Sequence, residues 1–479
     1  MDSALKSGPR RPRRRLHFIG IGGAGMSGIA ELSLKLGFSV SGCDLAASAA
    51  TARLESLGAQ IEIGHHPSHL RAPNPHAPFD AIVISSAIKF SNPEVARARE
   101  LKIPVIARAE MLGELLRMTK LGVAVAGTHG KTTTTALVAL IMEDAGLDPT
   151  VAVGGNLRNT GTNVRLGRGD FMVAEADESD ASFLLLLPTI AIVTNIDAEH
   201  LDHYGSMDRL REAFLSFINR VPFYGRAVLG IDSANVRAML EQVRKPVITY
   251  GVAADADLRA ERIVIDGLST RFDAIFKGAA LGTVTLPAPG VHVAMNSLAA
   301  LAVAFELGID FAVATRALAR FGGIARRFEI KGEHDGRIVL DDYAHHPAEI
   351  RATLAAARAG FKRRAVVVFQ PHRFTRMRDL FEEFLTAFDD AGALYLLEIY
   401  SAGEDPIPGV SSRRLYEAIR ARGHLEVHYL GADLDAAREV ALASRRGDLI
   451  VTLGAGDINQ LGAKILDALA REARPHDHA

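Results

Sequence analysis

Lys131 is the residue that could carry the most demanding chemistry. It stands in GTHGKTTTT (Gly127–Thr135), between an apolar run, Leu121–Ala126, and a segment in which Leu137, Leu140 and Ile141 recur at helical spacing. Gly127 and Gly130 let the backbone N–H groups around Thr128 turn toward an anion. Lys131 can then reach phosphate oxygens, and the hydroxyls of Thr132 and Thr133 open the helix, with Thr132 placed to ligate Mg2+. The loop is a shortened P-loop, because Val125 stands five residues before Gly130, where the standard motif has glycine. The spacing predicts a nucleoside triphosphate site; the competing reading is a threonine-rich helix start with an exposed lysine. Glu175 ends the run FMVA and opens the acidic stretch EADESD. An acid at a strand end beside a P-loop is where a Mg2+ ligand belongs, with Asp177, Glu178 and Asp180 as competitors. His200 follows AIVTNI by four residues. Single histidines are more often structural, and Mg2+ prefers oxygen, so residue type alone does not make His200 a ligand.

A second glycine loop, GIGGAG (Gly20–Gly25), fits G-x-G-x-x-G through Gly20, Gly22 and Gly25. Asp44 lies 24 residues after Gly20, where an acid can bind a ribose hydroxyl. Three readings stay open: a dinucleotide site, another nucleoside diphosphate, or a turn used only for packing. Two phosphate loops in one chain argue against a plain NAD-dependent oxidoreductase, which has no use for a P-loop.

Other residues invite weaker readings. His65, His66, His69 and His76 cluster in a proline-rich stretch, yet no HExxH helix or neighbouring cysteine accompanies them, so zinc is a minor reading. Cys43 is the single cysteine, which excludes an intrachain disulfide and points to a reducing compartment, the cytoplasm. DDYAHHP (Asp341–Pro347) and QPHRFTR (Gln370–Arg376) each follow an apolar strand. Arg373 and Arg376, three apart, are expected on one helical face, as a carboxylate clamp or as solvated arginines.

The elements that must position these residues form three segments of alternating strand-like runs and helical patterns, the signature of an α/β fold with parallel sheets. The readings are an arm over residues 1–15, then segments 16–118, 119–330 and 331–479. A helix is expected over Pro93–Lys102, a nearly all-apolar helix over Met295–Leu307, antiparallel strands within 260–286, and one helix over Met377–Asp390. The 479 residues, 48% hydrophobic and 23% charged, are ample for several cores, and no run reaches the roughly 18 apolar residues of a membrane span. The net charge of −1 announces no nucleic-acid partner. It hides a split: Lys6, Arg10, Arg11, Arg13, Arg14 and Arg15 against Asp2 give residues 1–15 a charge of +5, leaving −6 for the rest. The arm reads as a disordered leader without the apolar stretch of a secretory signal.

With these motifs in view, the chain after Arg15 resembles the Mur ligases of peptidoglycan synthesis, and among them the alanine-adding branch. The resemblance rests on HFIGIGGAGMSGIAE, VISSAI, RAEML, AGTHGKTTTT, AEADESDASF, AIVTNIDAEHLDHYG, RRFE, DDYAHHPAEI, FQPHRFTR, IPGVSS and LGAGDI. It implies an N-terminal Rossmann-like domain for a UDP-sugar, a central P-loop ATPase domain of mixed α/β structure, and a C-terminal Rossmann-like domain that closes over the ATP and amino-acid site. It implies joining of L-alanine to the lactyl carboxylate of UDP-N-acetylmuramate through an acyl phosphate, with ATP and Mg2+ (Mn2+ as a substitute). The expected protein is a monomer or weak homodimer. The alternative inside the family is a ligase that adds a whole tripeptide.

By motif, the resemblance gives Lys131 phosphate neutralisation and Thr132, Glu175 and His200 the metal. Gly127, Thr128, Gly130, Thr133, Asn296, Arg327 (with Arg326 beside it) and Asp342 go to ATP. Gly22, Gly23, Ala24, Gly25, Asp44, Ser85 and Ser86 go to the UDP-sugar, and Tyr343, His345, Arg373 and Arg376 to the amino acid and product. Two departures stand out. GVHVAMN keeps His292 and Asn296 but has Val293 where the family usually has an amide. Phe214 occupies the place of a lysine that other branches carbamylate, which fits the alanine-adding branch.

Overall fold

The computed structural model describes residues 14–71, 79–85, 87–153, 164–423, 426–432 and 435–472. Residues 1–13 of the basic arm, His76 and Ser86 lie outside the described residues, as does the side chain of Ala24. The chain forms two compact bodies. One runs to Leu229 and takes in Ala238–Val247; the other holds Gly230–Arg237 and continues from Ile248.

The first body opens with five parallel strands in the order Gln60–Ile63, Ser39–Asp44, Arg15–Ile19, Ala81–Ile84, Val105–Ala107. That is the order of a Rossmann-type half, in which ligands gather at the carboxyl ends of the strands. Arg15, assigned to the arm from the sequence, is instead the first residue of its strand, with its guanidinium 4.7 Å from the centre of the Phe79 ring. The helix Ala24–Lys35 follows the first glycine loop, and the helix read over Pro93–Lys102 spans Pro93–Glu100. Further parallel strands of this body are ordered Arg226–Gly230 (up to Leu229), Ile190–Val193, Leu121–Ala126, Phe171–Glu175, Thr150–Ala152, with Val164–Arg165 antiparallel at the edge. The helix Lys131–Asp144 leaves Leu121–Ala126 through the second glycine loop. Phe214 is fully buried, its ring 5.1 Å from that of Phe183, so at that position the chain has a core aromatic.

The second body contains the expected antiparallel strands, three in number: Leu258–Asp266, Ser269–Phe276 and Ala279–Leu286. The apolar helix starts four residues earlier than read, at Val291, and ends at Glu306. A six-stranded sheet, ordered Glu329–His334, Arg337–Asp342, Leu449–Leu453, Ala365–Phe369, Ala393–Leu397, Val427–Gly431, is parallel except at its first strand. Alternate residues of its inner strands feed two cores: Leu340, Val367 and Phe369 on one face, Val339, Val366 and Val368 on the other. Burial on both faces explains the uninterrupted apolar strands. The helix expected over Met377–Asp390 is broken into Phe374–Asp379 and Phe381–Phe384. At the break, Leu380 leaves helical geometry (φ −114°), and it is buried in the same core as Phe384 and Phe388.

Candidate active site

In the first body the chemistry gathers at the second glycine loop. Gly127 (φ 133°) and Gly130 (φ 80°) hold backbone conformations that other residues rarely adopt, and a Cβ on Gly127 would lie 2.0 Å from Thr194 Oγ1. The segment after Ile190–Val193 braces the loop. Thr128 N donates to Asn195 O, and His129 N donates to Asn195 Oδ1 at 2.8 Å. Thr194 Oγ1 donates to His129 O at 2.6 Å, and Asp197 N donates to Thr128 Oγ1 at 2.9 Å. TNID is therefore the second half of the loop, a role that reading the glycines alone misses.

Lys131 bends back over this turn. Its Nζ donates to Gly127 O (2.6 Å) and Thr128 O (3.2 Å), and to both oxygens of Glu178 at 2.8 and 2.9 Å. Glu178 is 2% exposed. Burial pulls the lysine down, but the carboxylates of Glu178 and Glu175 outweigh it and keep the ammonium above its ordinary range. Burial also pushes the Glu178 carboxyl up to about 7, against the pull of Lys131. Tyr204 fixes the turn by donating its hydroxyl to Glu178 O at 2.6 Å. Glu178 was one of several acids competing for a metal; its place is beside the lysine.

The residues expected at a metal come together. Glu175 ends its strand and accepts from Thr132 Oγ1 at 3.0 Å, so a hydroxyl and a carboxylate, the hard donors Mg2+ prefers, meet at one point. His200, in left-handed conformation (φ 58°), has Nε2 3.8 Å from Glu178 Oε1. The donor set fits a hard divalent cation through Thr132 and Glu175, with His200, from the segment after Ile190–Val193, approaching the acidic turn at Glu178.

At the first glycine loop, Gly22 N donates to Asp44 Oδ2 at 2.8 Å, and Gly20 N and Ile21 N donate to Cys43 O. A cavity of about 380 Å3 connects this loop to the acidic turn. Gly20, Gly23, Gly25, Ser85 and Arg108 line one side, and Glu175, Asp177 and Ser182 are among the residues of the other. Arg108 was missed in the sequence although RAEML contains it. Its guanidinium lies where a Cβ on Gly25 would come within 2.7 Å. That makes it a cation beside a glycine loop at the start of the helix Arg108–Arg117.

The second body holds its own polar cluster. Arg326 and Arg327 both stack on Tyr343, 4.9 and 5.1 Å from the ring centre. Arg326 donates to Gly454 O and Gly456 O, and Arg327 Nη1 is 3.6 Å from Glu349. Asp342 accepts from Phe328 N and Ala344 N, both at 2.8 Å; burial raises its carboxyl to about 6 despite Arg327 and these two bonds. His292 and Asn296 stand four apart on one face of the helix Val291–Glu306; Asn296 is buried and His292 is exposed. Partial desolvation by the surrounding protein and the charge of Arg327 lower the proton affinity of His292, which ties that helix to the arginine electrostatically. Val293 is buried and apolar.

His345 Nδ1 meets Tyr343 O at 2.9 Å, and its ring faces His372 at 5.7 Å. Arg376 Nη1 lies 3.2 Å from His372 Nδ1 and donates to His372 O. Arg373 and Arg376 do not share a helix. Arg373 precedes Phe374–Asp379 with φ 71°, its N–H donating to Tyr400 O, so the shared helical face expected from their spacing does not form.

Fold and loops first define a class: a multidomain α/β nucleotide-binding protein carrying two strand–glycine–helix units. The chain belongs to the Mur ligase family. Residues 15–120 match the model described as Mur ligase family, catalytic domain, residues 125–304 the Mur ligase middle domain, and residues 326–456 the Mur ligase, glutamate ligase domain. It is 53% identical over 455 residues to UDP-N-acetylmuramate–L-alanine ligase of Anaeromyxobacter sp. strain Fw109-5, covering 95% of this chain and 98% of that one. It is 52% identical to the enzyme of the same name from Geotalea daltonii, covering 96% and 98%. Among solved structures, UDP-N-acetylmuramate-alanine ligase of Thermotoga maritima superposes with a TM-score of 0.74 at 28% identity, over 96% of this chain and 99% of that one. A murein peptide ligase of Psychrobacter arcticus gives 0.63 at 26% identity, over 96% and 100%.

Proposed function

We propose that this chain joins L-alanine to the lactyl carboxylate of UDP-N-acetylmuramate at the expense of ATP, in peptidoglycan synthesis. One observation supports it above the others. A single cavity, with Arg108 on its wall, runs from the first glycine loop, to which Asp44 is bonded at Gly22 N, to Glu175 and Asp177 of the acidic turn whose Glu178 holds the P-loop lysine, so a long sugar nucleotide can reach the phosphate-handling end.

In this reading Asp44 takes ribose hydroxyls, and Gly22, Gly23, Ala24, Gly25, Ser85 and Ser86 are assigned to the sugar nucleotide. Gly127, Thr128, Gly130 and Thr133 cradle the phosphates of ATP. The carboxylate of the sugar attacks the γ-phosphate; ADP leaves and an acyl phosphate forms. The amine of alanine then displaces phosphate. Both partners of the first step are anions, so positioning and placed cations lower the barrier. Lys131 is already charged and turned into the loop, and its ammonium passes from Glu178 to phosphate oxygens. Glu178, buried with a raised proton affinity, can take up a proton when Lys131 leaves it. Thr132, Glu175 and His200 would hold Mg2+, which supplies charge neutralisation at the phosphates. Asn296, Arg327 and Asp342 are assigned to ATP, and Tyr343, His345, Arg373 and Arg376 to the amino acid and product. The working segments are 16–118 for the sugar nucleotide, 119–330 for ATP and 331–479 for the amino acid. No helix among the described residues is long and apolar enough to cross a membrane.

The test is phosphate release from ATP with UDP-N-acetylmuramate plus either L-alanine or a peptidoglycan tripeptide. Release with alanine is expected. Release only with tripeptide would replace this reading by the peptide-adding one.

A further inference from the structure

The four histidines of the proline-rich stretch do not act as one group. His66 uses its ring on its own turn, 2.7 Å from Ser68 Oγ, and His76 lies outside the described residues. His65 and His69 instead converge on Glu94, a carboxylate with no exposure in the first turn of Pro93–Glu100. His65 Nδ1 is 3.4 Å and His69 Nδ1 3.3 Å from Glu94 Oε1. The single cysteine completes the group: Cys43 Sγ is 3.1 Å from Glu94 Oε1 and 3.2 Å from His65 Nδ1. On the far oxygen, His17 Nε2 meets Glu94 Oε2 at 2.8 Å, while His17 Nδ1 is held by Ser41 Oγ at 2.9 Å. The remaining contacts of the carboxylate are Cys43 Sγ to Oε2 at 3.2 Å and His66 N to Oε1 at 3.1 Å. The ligand atoms of His17, Cys43 and Glu94 all lie within 4.8 Å of one another.

We propose that Cys43 Sγ, His65 Nδ1, His69 Nδ1 and Glu94 Oε1 form a binding site for one zinc ion, with His17 as the outer partner that orients Glu94. Three arguments carry it. Zinc takes thiolate, imidazole and carboxylate ligands at about 2.0–2.3 Å, and the corners of such a tetrahedron stand about 3.3–3.7 Å apart. Cys43, His65 and Glu94 already stand 3.1–3.4 Å from one another, within tenths of an ångström of three such edges, and His69 joins them through Glu94 at 3.3 Å. The charges balance: a thiolate and a carboxylate neutralise the dication in a buried place, the thiol proton leaving to solvent. An outer hydrogen-bond relay, Ser41 to His17 to Glu94, is already built. The two histidines are the open edge, His65 17% and His69 13% exposed, and give the ion a path in.

The site would pin three strand and helix ends one residue away from Asp44. It lies outside the proposed reaction, so its fate and that of the ligase reading are separable. Without metal, Glu94 is satisfied by hydrogen bonds, so the metal-free protein is expected to fold.

The experiment uses the full chain purified without chelator. Zinc per chain is measured after desalting, and affinity by competition with a chromophoric chelator. One retained zinc is expected. Cys43→Ser keeps a hydrogen bond to Glu94 and so keeps the fold; it is expected to weaken zinc at least tenfold, as is His69→Ala. Cobalt-loaded protein should show the strong visible bands of four-coordinate Co2+ with a thiolate charge-transfer band that Cys43→Ser removes. His200→Ala should leave the spectrum unchanged. No zinc retention by the wild type, full retention by Cys43→Ser, or loss of the cobalt spectrum in His200→Ala would each overturn the site, whatever the ligase assay shows.

Discussion

The two glycine loops share a plan and differ in the charge brought to them. Each joins a parallel strand to a helix with glycines that let the backbone approach a ligand. At the first, an acid from the neighbouring strand arrives: Asp44 accepts from Gly22 N. At the second, a cation arrives: Lys131 lies over Gly127 O and Thr128 O and pairs with Glu178. A carboxylate occupying a loop N–H disfavours phosphate at that point and favours a hydroxyl; an ammonium does the reverse. Glycine spacing therefore says that a ligand's backbone approach is close, and the neighbouring side chain says which part of the ligand comes close.

The strongest way to break this contrast is to remove the cation. Lys131→Ala is expected to lower kcat 10²–10³-fold, about 3–4 kcal/mol of transition-state stabilisation. Because it leaves Glu178 buried without its lysine, the same change in a Glu178→Gln background is the cleaner variant, with the fold checked by circular dichroism. Retention of more than about a tenth of the wild-type rate (~1.4 kcal/mol) would count against the role. Next come the glycines. Gly127→Ala meets both a φ of 133° and a Thr194 oxygen at 2.0 Å, and about 2–4 kcal/mol of stability should be lost in urea unfolding. Gly22→Ala meets Asp44 Oδ2 and Thr51 Cγ2 at 3.0 Å with permissive backbone, so roughly 1 kcal/mol or less is expected. If the two substitutions destabilise equally, the loops are not differently built. Asp44→Asn should raise KM for the sugar nucleotide about tenfold (~1.4 kcal/mol) and leave KM for ATP alone; a matching rise for ATP would erase the division of labour.

A pH effect serves as a control from the other body. Burial, then the neighbouring His345, Arg376 and Arg373, push His372 down to about 3. The native ring stays neutral while the unfolded one gains a proton below about pH 6.5. Its stabilising contribution is thus present above pH 6.5 and lost as pH falls toward 3. Between pH 7 and 5 the wild type should lose on the order of 1 kcal/mol that His372→Gln does not lose. Identical urea midpoints for both proteins at pH 5 and 7 would remove this histidine from the acid response.

Much of the fold was legible because periodicity reports burial. Ala365–Phe369 is apolar throughout because both its faces are covered, and the first glycine loop sits between a strand and a helix as its spacing requires. Thr132 and Glu175 were legible as neighbours because an acid at one strand end faces a loop at the next. The partner of Lys131 was not, since EADESD offers several acids and only the turn after Glu175 decides which is buried. Nor was the break at Leu380, where core burial overrides an unbroken helical stripe. Cys43, His65, His69 and Glu94 are spread over three elements, and nothing in their spacing brings them together. Arg373 and Arg376 show the opposite failure: spacing suggested a shared face, and a left-handed residue ahead of the helix removed it.

The strand Ser39–Asp44 ends in two consecutive residues that serve opposite sides: Cys43 turns to Glu94 and the histidines, Asp44 to Gly22. Its carbonyl at Cys43 also receives two amides of the loop. Side chains alternate along a strand, so a one-residue insertion or deletion anywhere between Ser39 and Asp44 would swap these two assignments together. For anyone building chimaeras of this protein with its relatives, that six-residue segment is a poor crossover point. A junction there would have to match a buried cluster and a nucleotide loop in the same register, so donor segments should be exchanged with the whole of 15–44 intact.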